Sequence, residues 1–137
     1  MSAWSNRWPN FTPSEIFSPV GLELFNSSGL LLIQPVALDF LQRFRNYLDK
    51  KFYVNGVSTG SLLRGYRDCI ENSRAGGKAH SYHMQGLAFD VTVEEMEPSA
   101  VFEAAKDFGW TGIGLYRSFV HMDRRPRLDG EIITWID

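Results

Sequence analysis

Two histidines and one aspartate lie in sequence contexts that suit a metal site. His83 ends a loop, and Asp90 follows it within residues 87–93, a short apolar run typical of a β-strand. His121 lies in a second such run, where alternation of side chains puts Asp123 on the same face. Two imidazoles and one carboxylate, with a fourth position open to water, form a catalytic zinc site. His83, Asp90 and His121 are therefore candidate metal ligands.

Spacing alone leaves other interpretations of these residues open. A histidine near an aspartate is commonly a hydrogen-bonded structural pair. An iron site of two histidines and one carboxylate is a third alternative. Iron sites of that kind usually present His-x-Asp first and a distant histidine later, whereas His121-x-Asp123 contains the last histidine of this chain. The iron alternative is therefore disfavoured.

Helices are predicted to form the frame behind these residues. Residues 35–50 carry one apolar stripe at helical spacing, made of Ala37, Phe40, Leu41, Phe44 and Leu48. A second helix is predicted to begin near Pro98 and to end at Gly109, because glycine suits the left-handed conformation that closes a helix. A short helix is predicted to start at Thr12, with Glu15 completing a capping box.

Short strands are predicted mainly in the second half of the chain. Residues 54–66 are predicted as strand and turn, and three further ranges as strands: 87–93, 118–123 and 131–136. Helices come first and strands dominate later, which predicts an α+β fold with helices packed on a small antiparallel sheet. The loop of residues 72–81 lacks apolar periodicity and is predicted to carry functional groups.

Length and composition indicate one compact domain, residues 1–137. The chain has 137 residues, 44% of them hydrophobic and 14% aromatic, which is sufficient for a core. The net charge of −2 argues against a general nucleic-acid binder. The single cysteine, Cys69, excludes an internal disulfide and a multi-cysteine metal site, and a buried thiol is expected.

The sequence gives no indication of a membrane partner. The longest aliphatic run, residues 30–33, is far shorter than the ~20 residues that span a bilayer. Residues 1–11 lack the apolar run of a signal peptide, so synthesis in the cytoplasm is expected. The expected oligomeric state is a monomer.

Four motifs in order resemble the M15 zinc peptidase family. They are Gly65-Tyr66-Arg67, then Gly76-Gly77, then Ser81-x-His83-x-x-Gly86-x-Ala88-x-Asp90, then Val120-His121-x-Asp123. The sequence is most similar to the D-Ala-D-Ala carboxypeptidase-like branch, whose members cleave peptide stems of bacterial cell walls. The resemblance covers residues 10–135 approximately, ending at Trp135. It implies the hedgehog/DD-peptidase fold.

The resemblance also implies roles for individual residues. His83, Asp90 and His121 match the three zinc ligands. Arg67 matches an arginine that steadies the substrate or the charge developing on the attacked carbonyl, although a surface ion pair with Asp68 or Glu71 is an alternative. Ser81 matches a serine near the substrate, and its alternative is a loop hydroxyl that caps backbone amides.

The general base is the point where this sequence departs from the family. Many relatives carry an acidic residue or a histidine three positions before the last ligand, and that position is Ser118 here. Asp123 is the remaining candidate base in these motifs, and a glutamate or aspartate from elsewhere in the chain is the alternative. Asp123 could equally orient an imidazole, or form a salt bridge with Arg124 or Arg125.

The function that the resemblance implies is zinc-dependent cleavage of peptidoglycan stem peptides by a metal-activated water. Both a D-Ala-D-Ala carboxypeptidase and an endopeptidase of the endolysin type are compatible with it. The alternative is a catalytically inactive zinc-binding or virion structural module, a possibility that the related hedgehog signalling domain suggests. The expected setting is a phage-encoded lysin or virion-associated enzyme, with a bacterial cytoplasmic dipeptidase as the alternative. The sequence does not decide whether Tyr116 lines the cleft or fills the core.

Overall fold

The computed structural model describes residues 3–127 and 129–137, which form six helices and a five-stranded sheet. The helices are α1 (Ala3–Arg7), α2 (Pro13–Ile16), α3 (Pro19–Ser28), α4 (Pro35–Leu48), α5 (Cys69–Arg74) and α6 (Pro98–Phe108). The strands are β1 (Phe52–Tyr53), β2 (Ala88–Val93), β3 (Gly112–Leu115), β4 (Val120–Asp123) and β5 (Ile133–Ile136). None of the helices in this described part of the chain has the length and apolar character needed to cross a membrane.

The two longest helices follow the predicted pattern. In α4 the buried positions include Ala37, Leu41 and Phe44, three members of the predicted apolar stripe. The helix ends at Leu48, slightly before the predicted limit. Helix α6 ends at Phe108, with Gly109 left-handed at a φ of 110°, as predicted.

The α+β class is confirmed, and the sheet differs from the prediction in one pairing. The strand order is β1-β2-β4-β3-β5, and the pairs β1–β2, β2–β4 and β4–β3 are antiparallel. Strand β5 pairs with β3 in parallel, which makes the sheet mixed. Strand β3 was not predicted because Gly112 and Gly114 lower the strand propensity of a short segment.

Three smaller predictions are wrong in whole or in part. Residues 54–66 contain the predicted turns, but in place of a continuous strand they contribute to two isolated bridges, Gly56 to Ser61 and Tyr66 to Phe17. Thr12 precedes α2, but its side chain makes no capping hydrogen bond. Cys69 is exposed, because it is the first residue of α5 and lies at the surface.

The two faces of the sheet serve different purposes. Side chains alternate along β2 and β4. Phe89 and Met122 are fully buried in the hydrophobic core that α4 and α6 help to form. Asp90 and His121, their sequence neighbours, therefore point to the opposite face. The core thus holds the sheet from one side and leaves the other side available for polar groups.

Replacing Leu41 by alanine should destabilise the fold by about 2–5 kcal/mol, because it removes a large side chain from the core and leaves a cavity. Leu41 has 0% exposure. Val36→Ala on the same helix is the control, since Val36 is 69% exposed, and it should change stability by less than about 0.5 kcal/mol. Urea unfolding of both variants measures the difference, and equal midpoints would contradict this packing.

Candidate metal centre

The pairing of β2 with β4 brings two of the candidate ligands face to face. Asp90 lies directly opposite His121 in this register. His83 belongs to the turn that leads into β2, where the amide of Gly86 donates to the carbonyl of His83 at 3.3 Å. The site therefore combines two neighbouring strands with one tight turn.

The three predicted ligands converge on one point. His83 Nε2 lies 3.1 Å from Asp90 Oδ1, and His121 Nδ1 lies 3.0 Å from the same oxygen. One ligand atom from each residue can be chosen so that all three atoms lie within 4.8 Å of one another. Residues separated by up to 38 positions in the chain thus present two nitrogens and one oxygen to a shared space.

Hydrogen bonds at the far side of each ring determine which nitrogen faces this space. His83 Nδ1 donates to the carbonyl of Gly65 at 2.8 Å, which leaves Nε2 turned toward Asp90. His121 Nε2 donates to Asp123 Oδ2 at 2.7 Å, which leaves Nδ1 turned toward Asp90. Such partners on the second nitrogen are typical of metal-binding histidines.

A positive charge among the three inward-facing atoms would stabilise this arrangement. In neutral rings the two inward nitrogens carry lone pairs, and they face a carboxylate oxygen that also only accepts hydrogen bonds. A cation between the three atoms relieves that conflict. Two imidazole nitrogens and a carboxylate oxygen suit zinc. The residues present therefore fit the metal that the resemblance implies.

The pKa values of His121 and Asp90 are shifted in the directions that favour their charged forms. Burial works against the charged form of His121, but hydrogen bonds to Asp123 and Asp90 raise its pKa to about 9. Burial also works against ionised Asp90, yet the two histidines hold its pKa well below the usual range. A proton on His121 therefore supplies positive charge to the cluster, and a metal ion would have to displace that proton.

Asp123 is buried and fully engaged. Its Oδ1 accepts from Arg125 Nε at 2.8 Å and from the Arg125 amide at 3.1 Å. Its Oδ2 accepts from Arg125 Nη2 at 2.7 Å as well as from His121. Although burial disfavours the carboxylate, these bonds lower the pKa of Asp123 to about 2. At 0% exposure, this placement favours the orienting alternative over the role of general base.

The guanidinium of Arg67 is also bonded to other groups of the protein. It is 9% exposed, and its Nη2 lies 3.2 Å from Asp90 Oδ2. Its Nε donates to the carbonyl of Leu63 at 2.5 Å, and its Nη1 donates to Asn72 Oδ1 at 3.2 Å. Arg67 therefore holds the second oxygen of Asp90 and leaves the first oxygen to the histidines.

The alternative surface partners of Arg67 are engaged with each other. Asp68 and Glu71 form a reciprocal capping box at the start of α5, with bonds of 2.8 Å and 3.0 Å. Ser81 Oγ accepts the amide of His83 at 3.2 Å, which matches the loop-hydroxyl alternative. His80 is exposed in the same loop and lies outside the cluster.

An aromatic wall beside His121 was not predicted. It consists of Trp135, Tyr116 and Phe119. The Trp135 ring lies 5.2 Å from the His121 ring, and its Nε1 donates to the Tyr116 hydroxyl at 3.0 Å. Tyr116 stacks on Phe119 at 4.6 Å. Tyr116 thus belongs to the edge of the site rather than to the core.

The two glycines of β3 make room for these groups. A Cβ atom on Gly114 would lie 2.4 Å from the Trp135 ring, and one on Gly112 would lie 2.3 Å from Asp123 Oδ1. The Gly-x-Gly pattern was the available sequence signal for this wall. Its meaning depends on the parallel β5 strand, which brings Trp135 opposite Gly114.

Comparison with known proteins identifies the family. The sequence model of the Peptidase M15 family matches residues 9–123, which include all four predicted motifs. This chain belongs to the M15 peptidase family. No curated protein matches the sequence.

His121→Ala should abolish the thermal stabilisation by zinc, because one of three protein ligands is lost. Wild-type protein at a zinc concentration of 100 Kd should gain about 2.7 kcal/mol. His80→Ala removes an exposed imidazole from the neighbouring loop and should keep the full zinc response. Thermal unfolding after chelator treatment, with and without added zinc, measures both. A zinc response that survives in His121→Ala would exclude this site.

Asp123→Asn should weaken zinc affinity by about 10- to 100-fold, because His121 loses the charged partner that orients its ring. Competition with a chromogenic chelator gives the dissociation constant. Asp129→Asn is the matched control, since Asp129 is exposed and pairs with Arg127 away from the cluster. Unchanged affinity in Asp123→Asn would exclude the orienting role.

Proposed function

We propose that this protein is a zinc-dependent peptidase that cleaves the peptide stems of bacterial peptidoglycan. The observation that carries the proposal is the convergence of His83, Asp90 and His121 in a chain of the M15 peptidase family. Membership supports peptidase chemistry, and the two imidazoles with one carboxylate support zinc as the metal. A phage-encoded lysin or virion-associated enzyme is the proposed setting.

Zinc bound by these residues would supply a water of lowered pKa and would polarise the scissile carbonyl. The protein's own contribution is positioning. Gly65 and Asp123 hold the outer nitrogens of the two histidines, and Arg67 holds the outer oxygen of Asp90. Each ligand is therefore held in place before substrate arrives, so little reorganisation is needed during the reaction.

The proton transfer needs a separate group, and Ser118 cannot take the place of an acid. Asp90 and Asp123 are the carboxylates that contact the two histidines in the described residues. Arg125 occupies both oxygens of Asp123, so that this aspartate acts on the reaction through His121. The water's proton would then pass to a group of the substrate or to solvent.

The shortage of a free acid also favours a second candidate function. A member of this fold that binds zinc without turnover would keep His83, Asp90 and His121 and would need no base. The engaged state of Asp123 and the exposed serine at position 118 support this candidate. The activity measurement below separates the two functions.

Zinc-loaded protein should release products from purified muropeptides, and a chelator should stop this release. Product masses identify the bond that is cut. Restored activity on addition of zinc, but not of magnesium, would assign the metal, because the donor set suits zinc better than a hard cation. Asp90→Asn is the inactive control and should leave every muropeptide intact. Zinc-saturated wild-type protein that cleaves no muropeptide would favour the binding module.

A further inference from the structure

Arg64 lies next to the candidate metal centre. Its carbonyl accepts the amide of Asp90 at 2.7 Å, so its backbone runs beside a metal ligand. Its guanidinium carbon lies 4.7 Å from the centre of the Phe119 ring. Phe119 belongs to the aromatic wall and precedes His121 by two residues, which places the Arg64 guanidinium at the edge of the same site.

The guanidinium of Arg64 is not fully paired. Its Nη1 is buried and has no hydrogen-bond partner within residues 3–127 and 129–137. In the same described part of the chain, the other buried side-chain atom of this kind is Trp110 Nε1, which lies in the hydrophobic core. A buried charged donor without an acceptor is destabilising, because burial removes its hydrogen bonds to water and no protein acceptor replaces them. Arg64 therefore has capacity for an anionic partner.

The neighbouring arginines lack such capacity. The Arg67 guanidinium donates hydrogen bonds to Asp90, Asn72 and the carbonyl of Leu63. The Arg125 guanidinium donates to both oxygens of Asp123. Its carbon lies 4.5 Å from the centre of the Tyr82 ring and 5.3 Å from the centre of the Trp135 ring. Among the three arginines around the site, Arg64 is the one with an unused buried donor.

The positive charges around the site exceed the negative ones, which favours the binding of an anion. Among the described residues, the guanidinium groups of Arg67 and Arg125 bind the carboxylates of Asp90 and Asp123, and Arg64 adds a third positive charge beside them. A divalent cation with two neutral imidazoles would raise the positive excess further. Peptide stems of cell walls carry carboxylates, which would lower that excess on binding. A planar guanidinium matches a carboxylate with two parallel hydrogen bonds.

We propose that Arg64 forms an anion subsite beside the metal centre and binds a carboxylate of the peptide substrate, so that Arg64 replaces Arg67 as the substrate-binding arginine. The proposal rests on the proposed peptidase function, because it names a contact of that substrate. The carboxylate has two possible sources. It is either the C-terminal carboxylate of the stem or an internal one on an acidic residue.

The test uses zinc-loaded protein and the pentapeptide L-Ala-γ-D-Glu-L-Lys-D-Ala-D-Ala, prepared as the C-terminal acid and as the C-terminal amide. Titration calorimetry at low temperature gives Kd for each peptide, and product analysis gives kcat and KM. Arg64→Gln should weaken binding of the acid about 10- to 100-fold, as expected for loss of a charged hydrogen bond, with kcat largely retained. Arg64→Lys should restore part of the affinity.

The two peptides distinguish the source of the carboxylate. If the C-terminal group binds Arg64, the amide should bind the wild type weakly and should be insensitive to Arg64→Gln. If the internal carboxylate binds, Arg64→Gln should weaken both peptides equally. Arg74→Gln is the charge control, because Arg74 is exposed at the end of α5, and it should leave both affinities unchanged. An unaltered zinc-induced thermal shift in Arg64→Gln confirms that the fold and the metal site remain.

Failure of the subsite and failure of the peptidase function give different results. Binding that depends on Arg64 in a wild-type protein without turnover supports the subsite and excludes the peptidase. Turnover with the same KM in Arg64→Gln and in the wild type overturns the subsite and keeps the peptidase. Wild-type protein that binds neither peptide also overturns the subsite.

Discussion

The carboxylate of Asp90 is the group on which the site depends. One oxygen faces both histidines, and the other pairs with buried Arg67. Loss of one partner of a buried ion pair typically costs about 3–5 kcal/mol, because the remaining charge is left uncompensated. Asp90 therefore joins the loop around Arg67, the turn of His83 and strand β4. A change at this residue would disturb the candidate metal site and the local structure together.

The other constraint is the space on the open face of the sheet. Strand β3 lies within the sheet between β4 and β5 and presents two glycines to this face, where the Asp123–Arg125 pair and the Trp135 ring occupy the space that side chains would fill. The same glycines weaken the strand pattern of β3. They are acceptable there because β4 and β5 pair with β3 on its two edges, which stabilises the strand through its neighbours.

The positive charges around the site differ in what they do. Arg67 contacts the candidate ligand Asp90, and Arg125 contacts Asp123, which in turn holds His121. Arg64 lies beside the aromatic wall with a donor that no described residue satisfies. An arginine in a family motif is therefore not automatically the one with a free donor. Which guanidinium is free depends on the hydrogen bonds that the fold has already formed.

The sequence by itself determined the family, the α+β class, the two long helices and the three candidate ligands that converge, because these depend on local periodicity and on a motif with fixed spacing. It did not determine the state of Asp123 and Arg67, the parallel β5 strand or the position of Trp135. Those features arise when distant segments meet: Arg125 takes both oxygens of Asp123, and Trp135 reaches His121 only by passing over Gly114. A residue type shows what bonds a side chain can form, but its availability depends on long-range contacts that only the tertiary structure decides.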